Sequence, residues 1–209
     1  IGRYTHELLT RLPHLRPHDN IIALTHGSSD WAGVKIVRVR DRARSPRAAL
    51  FFGYIIEQYR PDLTHFLHQY IPLHLPQPTI VTIHDRTPQI LSMPAGNIAH
   101  QIWQASKKFV ATQLWWKRLP QATHIISNSD ATTRDLTMLA HVAPSRITTI
   151  PLAADHIDAV TEMVTGFWWQ REPYLLMVGA AYPHKNFINL LHAYADVVHA
   201  GLVLPRLIH

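Results

Sequence analysis

The chain has 209 residues, of which 47% are hydrophobic and 16% charged, so it is too apolar to be disordered and long enough to bury a core. Its net charge of +6 favours an anionic partner such as nucleotide phosphates or lipid head groups. Nucleic acid is disfavoured, because the basic residues are scattered and no recognition motif accompanies them. The absence of cysteine excludes disulfides and thiol catalysis. Together with the lack of a secretory signal and of a bilayer-spanning apolar run, it predicts a cytoplasmic protein.

The order of apolar patterns predicts a mostly parallel sheet with helices on its faces. The chain opens on a helix whose stripe includes Tyr4 and Leu8 and which is expected to end before Pro13. Gly2 and Arg3 lie in its first turn, where backbone N–H groups favour an anion, although Gly2 can equally be an entry turn. The other predicted strands are 20–26, 34–40, 62–68, 79–83, 123–126, 146–151 and 174–179, and the other predicted helices are 47–59, 97–118, 131–140 and one starting at Asn186.

The stretch 79–83, TIVTI, is β-branched throughout and carries no charge, which is typical of a strand buried on both faces of a parallel sheet. His84 and Asp85 follow it directly. Ligands of open α/β sheets bind beyond the carboxyl ends of the strands, so this pair is a candidate site. The pair can instead be structural, with Asp85 capping the loop and His84 bonding to a neighbour.

A second strand end, at 174–179, is closed by Gly179 and leads through a short loop to Lys185 and Asn186. Backbone donors, a helix dipole and an ammonium group meet there, which suits a diphosphate. Lys185 can equally be a solvated loop lysine.

Sixteen histidines raise the question of a metal site, but His65 and His68 lack partners at ligand spacing and no HExxH motif is present, so no metal is expected. The helix 97–118 is interpreted as a surface helix packed on the sheet. Its tryptophans, Trp115 and Trp116, and its lysines also allow contact with an anionic membrane.

Six pieces of the sequence resemble, in their order, the family 4 glycosyltransferases of GT-B fold, which move a sugar from a nucleotide-sugar donor with retention. The pieces are IGRYTHELL, DLTHFLHQYIPL, TIVTIHDRTP, THIISNSDATTRDL, ITTIPLAAD and YLLMVGAAYPHKNFINLLHAY. The resemblance implies an α/β protein with a Rossmann-like acceptor-side domain at 1–155 that lacks its first strand. A linker at 156–172 and the opening strand–helix unit of a second Rossmann-like, donor-binding domain at 173–209 would follow.

The resemblance also implies roles for individual residues. Gly2, Arg3 and Tyr4 match the loop and helix start that face donor and acceptor. His84 matches the family histidine beside the transferred sugar, and Asp85 is its structural neighbour. In the second domain, Lys185 matches the basic residue on the donor diphosphate, with Gly179 and Asn186 beside it in the donor site.

Two departures from the family pattern qualify the expected activity. Ala180 and Ala181 stand where many members carry a second basic residue, and the family's glutamate pair has no counterpart within the 209 residues. The predicted function is sugar transfer to a glycan or glycolipid without metal or other cofactor, and these 209 residues alone are not expected to turn over. The alternatives are a relative that transfers another group or performs phosphorolysis, and a non-catalytic module that binds nucleotide or anionic lipid.

Overall fold

The structure is a computed structural model that describes residues 2–42, 45–86, 97, 102, 105, 106, 109, 115–155, 157, 173–179 and 185–209. The chain divides into two compact units. Unit 1 comprises Ile1–Ile90 and Ala105–Leu152, and unit 2 comprises Leu91–Gln104 and Ala153–His209. The predicted linker 156–172 lies outside the described residues except for Ile157.

Unit 1 alternates helices and strands, as the sequence predicts. Its elements are α1 (Gly2–Leu15), β1 (Ile21–Thr25), β2 (Val34–Arg38), α2 (Pro46–Glu57), β3 (Thr64–Phe66), β4 (Thr79–Ile83), a 3₁₀ helix (Trp116–Gln121), β5 (His124–Ser127), α3 (Asp130–Leu139), a second 3₁₀ helix (Pro144–Arg146) and β6 (Ile147–Thr149). The strands β3, β4, β5 and β6 form one parallel sheet in that order, and β1 pairs with β2 in a parallel two-stranded sheet. This mixed α/β architecture with parallel sheets is consistent with a Rossmann-like GT-B fold.

The strand β4 lies between β3 and β5, and four of its five residues are buried. Val81 and Ile83 are fully buried in an apolar core that also contains Leu119 and Leu136. Because side chains alternate along a strand, Thr82 points to the opposite face, where its hydroxyl meets Tyr4 of α1. The prediction of a strand buried on both faces is confirmed.

The helix α1 corrects one boundary, because it runs through Pro13 to Leu15 instead of ending before the proline. A proline in the last turn forfeits only one backbone hydrogen bond of the helix. Its ring also packs against Gly33, where a Cβ would lie 3.0 Å from the Pro13 Cβ. Tertiary contact therefore outweighs the local signal.

The predicted helix 97–118 is also corrected at its end. Residues 116–118 belong to a 3₁₀ helix that contains Pro120, whereas most of the preceding stretch lies outside the described residues. In a 3₁₀ helix the side chains at i and i+3 lie above one another. Trp116 and Leu119 are therefore buried together in the core, so Trp116 is not available to a membrane. Trp115 packs against the same core and, at 4.7 Å between ring centroids, against Tyr70.

Unit 2 contains β7 (Tyr174–Leu176), α4 (Phe187–His199) and β8 (Arg206–Ile208), and β7 pairs with β8 in parallel. The sequence predicted the strand and the helix but missed β8. The run 206–208 is too short to show a period, and Pro205 directly before it reads as a breaker. The described part of the unit is thus a strand–helix–strand arrangement.

The packing of α2 supplies a stability prediction. The backbone N–H of Leu73 donates to the Ala49 carbonyl at 2.7 Å, so the segment 71–75 lies directly against the helix. A Cβ on Gly53 would lie 2.0 Å from the His74 carbonyl oxygen. We expect Gly53→Ala to lower the free energy of unfolding by about 1–3 kcal/mol, measured by urea denaturation, because backbone atoms must move apart.

Gly27→Ala is the matched control, since its Cβ would meet only the Thr25 hydroxyl at 3.6 Å. It should change the stability by less than about 0.5 kcal/mol. A Gly53→Ala protein as stable as the wild type would show that α2 does not pack against the 71–75 segment in this way.

Candidate functional site

The carboxyl end of β4 presents His84 to the first turn of α1. The rings of Tyr4 and His84 meet edge to face, with 5.0 Å between centroids and an interplanar angle of 82°. The structure therefore brings together two residues that the sequence singled out 80 positions apart. Asp85 is exposed beside them, and Arg86 forms an ion pair with Asp135 of α3 at 3.5 Å.

The half-buried imidazole of His84 is held in one tautomer. Its Nε2 lies 3.0 Å from the Leu67 carbonyl, which can only accept, so Nε2 carries the hydrogen. Burial lowers the pKa of His84 by more than the hydrogen bond to Leu67 raises it, so the ring is neutral at pH 7. In the neutral ring Nδ1 then bears a lone pair that can accept a hydrogen bond from a hydroxyl group.

The backbone at His84 is fixed by α3. Ser129 caps that helix by accepting a hydrogen bond from the Thr132 N–H at 3.2 Å. The Thr132 hydroxyl in turn donates to the His84 carbonyl at 3.5 Å. Ring and backbone of His84 thus have separate anchors.

The position of Tyr4 depends on a buried hydroxyl. Thr82 Oγ1 lies 3.1 Å from the Tyr4 Oη and 2.8 Å from His65 Nε2. Burial lowers the pKa of His65 to about 4, so this ring is also neutral at pH 7. A chain of three polar groups therefore links β3, β4 and α1, centred two residues before His84.

Gly2 and Arg3 leave the start of α1 open. A Cβ on Gly2 would meet nothing within 4 Å. Arg3 pairs with Glu7 at 3.5 Å, yet 61% of its side chain stays exposed. Both residues are accessible at the same helix end as Tyr4.

In unit 2, two of the predicted phosphate-binding residues, Lys185 and Asn186, directly precede α4. Gly179 has a φ of +138°, which favours glycine, and its carbonyl accepts a hydrogen bond from His209 Nε2 at 2.7 Å. Lys185 is exposed one position before Asn186, which occupies the N-cap position with a left-handed φ of 57° but makes no capping hydrogen bond with its side chain. Asn186 is thus a turn residue rather than a side-chain cap.

Among the residues that the structure describes, no group of three or more His, Asp or Glu side chains could hold a metal ion. His65 is engaged by Thr82, and His68 Nδ1 accepts a hydrogen bond from the Tyr70 N–H at 3.0 Å. The pair noted in the sequence therefore serves hydrogen bonding.

The profile of Glycosyltransferase Family 4 matches residues 1–157, three quarters of the sequence and the whole stretch that carries Tyr4, Thr82 and His84. The chain belongs to glycosyltransferase family 4. The comparison with curated proteins gives no match. Among solved structures, the chain is similar to a glycosyltransferase from Rickettsia africae ESF-5, with 12% identity and a TM-score of 0.43, over 96% of this chain and 62% of that protein. The chain thus spans less than two thirds of that protein's length.

The sequence held no indication of several residues that the structure places beside the predicted ones. Thr82 and Thr132 carry no signal of their own, since threonine is common both in strands and near helix starts. His209 is missed because it follows the unpredicted strand β8, yet its ring stacks on Phe187 with 4.6 Å between centroids. Only the parallel pairing of β7 with β8 places it beside Gly179.

Removing the shared hydroxyl tests the Tyr4–Thr82–His65 chain. Thr82→Val keeps the β-branched shape but leaves a buried His65 nitrogen without its partner, so we expect a loss of about 1–3 kcal/mol in the free energy of unfolding. Thr148→Val is the control, since Thr148 bonds to His124 Nε2 at the same 2.8 Å on the surface. Equal effects of the two substitutions would show that burial adds nothing to the Thr82 contact.

The lowered pKa of His65 predicts acid sensitivity. The folded protein binds this proton only near pH 4, whereas the unfolded chain binds it near 6.5, so stability is full above pH 6.5 and falls as the pH drops towards 4. The slope is about 1.4 kcal/mol per pH unit and the total about 3 kcal/mol. Urea denaturation across this pH range should show a shallower dependence of stability on pH for His65→Gln than for the wild type. Protonation of His84 adds a decrease in stability of the same sign in both proteins. Parallel curves would exclude His65 as the source.

Proposed function

We propose that the protein transfers a sugar from a nucleotide-sugar donor to a glycan or glycolipid acceptor, with retention at the anomeric carbon. The observation that carries this proposal is the family 4 match over residues 1–157, within which Tyr4 and His84 pack together at the carboxyl end of the central strand. That end of a parallel strand is where α/β proteins bind their ligands.

His84 is proposed to bind the transferred sugar. A neutral ring whose Nε2 is tied to Leu67 can accept a hydrogen bond from a sugar hydroxyl through Nδ1. Rigid placement of such a group helps to orient the donor for reaction. Tyr4 supports the imidazole, while Gly2 and Arg3 are proposed to line the space for donor and acceptor. Asp85 is proposed as their structural neighbour.

Lys185 is proposed to bind the donor diphosphate. Lys185 directly precedes Asn186, the N-cap residue of the 13-residue helix α4, where the dipole and backbone N–H groups favour an anion. Positive charge at this point would stabilise the leaving nucleoside diphosphate as the glycosidic bond breaks. We propose that these groups serve in place of a metal ion. Gly179 and Asn186 are proposed to shape the loop beside the diphosphate, and the protein is proposed to act in the cytoplasm.

The phosphate role of Lys185 is tested by calorimetric titration with UDP, GDP, ADP and dTDP. We expect one of them to bind, and we expect Lys185→Ala to raise its Kd about tenfold or more, because a charge-assisted hydrogen bond is lost. The matching nucleoside without phosphates should bind both proteins equally. Lys117→Ala, on the exposed lysine of the 3₁₀ helix, should leave the Kd unchanged.

The complementary arm uses the nucleotide sugar. His84→Ala should weaken its binding but leave the Kd of the nucleoside diphosphate unchanged, because the imidazole addresses the sugar. Wherever transfer is observed, NMR of the product would report the anomeric configuration. An inverted product would refute retention. An unchanged Kd for Lys185→Ala would remove that lysine from the phosphate site. Binding of the diphosphate without sugar transfer by any longer form of the protein would favour a non-catalytic module.

A further inference from the structure

The helix α2 has two apolar faces, and only one is buried. Ala48, Gly53 and Ile56 pack into unit 1. On the opposite side, Leu50, Phe51 and Tyr54 are 48%, 52% and 56% exposed. Spacings of three and four place these residues on one stripe with Arg47.

These exposed residues form one surface. Together with Leu73, which is 39% exposed, and His74 they line a depression of about 420 Å³. We call Leu50, Phe51, Tyr54 and Leu73 the α2 patch. A contiguous apolar patch of this kind marks an interaction site more often than isolated exposed side chains do.

The α2 patch is preformed. The His74 ring stacks on Tyr54 with 4.4 Å between centroids, and its Nε2 lies 2.6 Å from a Glu57 carboxylate oxygen. The Leu73 N–H is bonded to the Ala49 carbonyl of the same helix. Little ordering of the patch is therefore needed when a partner binds.

The segment that leads into α2 is positively charged. The nine residues 39–47 contain four arginines and one aspartate, a net charge of +3. Arg38, just before them, is paired with Asp30 at 2.6 Å and is not counted. Arg40 and Arg42 are exposed, and Arg47, although paired with Asp41, keeps 77% of its side chain exposed. The acidic groups near the patch, Asp41 and Glu57, are each paired with a basic side chain.

We propose that the α2 patch and the arginines before it bind the surface of an anionic lipid bilayer. Leucine and aromatic side chains beside arginines are what an interfacial helix presents to such a surface. At 12 residues α2 is about 18 Å long, too short to cross a hydrocarbon core of about 30 Å, so it lies along the bilayer. Within the described part of the chain, no helix combines the length and apolar character needed to span a membrane.

This surface differs from the one suggested by the sequence. Trp116 lies in the core, and Arg118 donates to the Pro72 carbonyl at 3.2 Å, so these two side chains serve the interior of unit 1. Lipid binding by the patch does not depend on glycosyl transfer, since neither Tyr4 nor His84 is among the residues that line it. Activity assays and lipid-binding assays can therefore fail independently.

Site-specific labelling tests the proposal directly, because the protein has no cysteine. Phe51→Cys and, as control, Met138→Cys on α3, where Met138 is 70% exposed, would each carry an environment-sensitive fluorophore. Vesicles of phosphatidylcholine with phosphatidylglycerol should shift the emission of the label at 51 to the blue and leave that at 138 unchanged. Vesicles of phosphatidylcholine alone should shift neither, and added salt should reverse the shift.

Two variants separate the charge from the apolar contribution. Arg40→Gln with Arg42→Gln should reduce partitioning to anionic vesicles roughly fivefold for each arginine. Leu50→Ser with Phe51→Ser should abolish it, and Arg134→Gln on α3 should leave it unchanged. The proposal is overturned if the label at 51 does not respond to anionic vesicles, if 138 responds equally, or if the label at 51 shifts without lipid as protein concentration rises. That last result would show that a second copy covers the patch.

Discussion

A buried hydroxyl group on the central strand β4 holds the first helix against the candidate site. Thr82 Oγ1 contacts both Tyr4 and His65, so one atom joins α1, β4 and β3. The other face of the same strand packs Val81 and Ile83 into the core, so both faces of β4 are engaged. The buried polar chain has to be satisfied as a set, because an unpaired group at this depth would be destabilising. Positioning at the site is therefore tied to the stability of the sheet.

The chemistry available at His84 follows from that positioning. Its Nε2 hydrogen is committed to Leu67, its backbone to Thr132 and one ring edge to Tyr4, so the remaining nitrogen has a defined direction and protonation state. Burial favours the neutral ring, which makes His84 a hydrogen-bond acceptor rather than a cation. Charge for a departing phosphate has to come from elsewhere, and in the proposed function it comes from Lys185. In the proposed function, neutral recognition of a sugar and cationic recognition of its diphosphate would thus fall to different residues.

How much of this was readable from the sequence depends on the range of the interactions. The β-branched run 79–83 specified a buried strand because nothing in it suits a surface, and the residue that follows a strand end is fixed by chain order alone. Tyr4 came from the family pattern, but its contact with Thr82 spans 78 positions and no local period encodes it. The extension of α1 through Pro13, the 3₁₀ helix at Trp116 and the strand β8 were missed, since each is decided by packing against a distant segment. Apolar spacing in α2 predicted a helix correctly but could not show that one of its two apolar faces stays exposed.

The exposed apolar face of α2 bears on which acceptor the proposed function would use. Local hydropathy treats Leu50, Phe51 and Tyr54 like the buried Ala48 and Ile56, so only the structure separates a packing face from a docking face. If the docking face binds a bilayer, an acceptor carried by a lipid would be confined to the same surface as the enzyme, and its effective concentration would rise without a new contact in the site. A soluble glycan would gain nothing from such a surface. Under the proposed function and the proposed bilayer contact, the arginines that precede the patch in the chain would therefore favour a glycolipid acceptor over a free glycan.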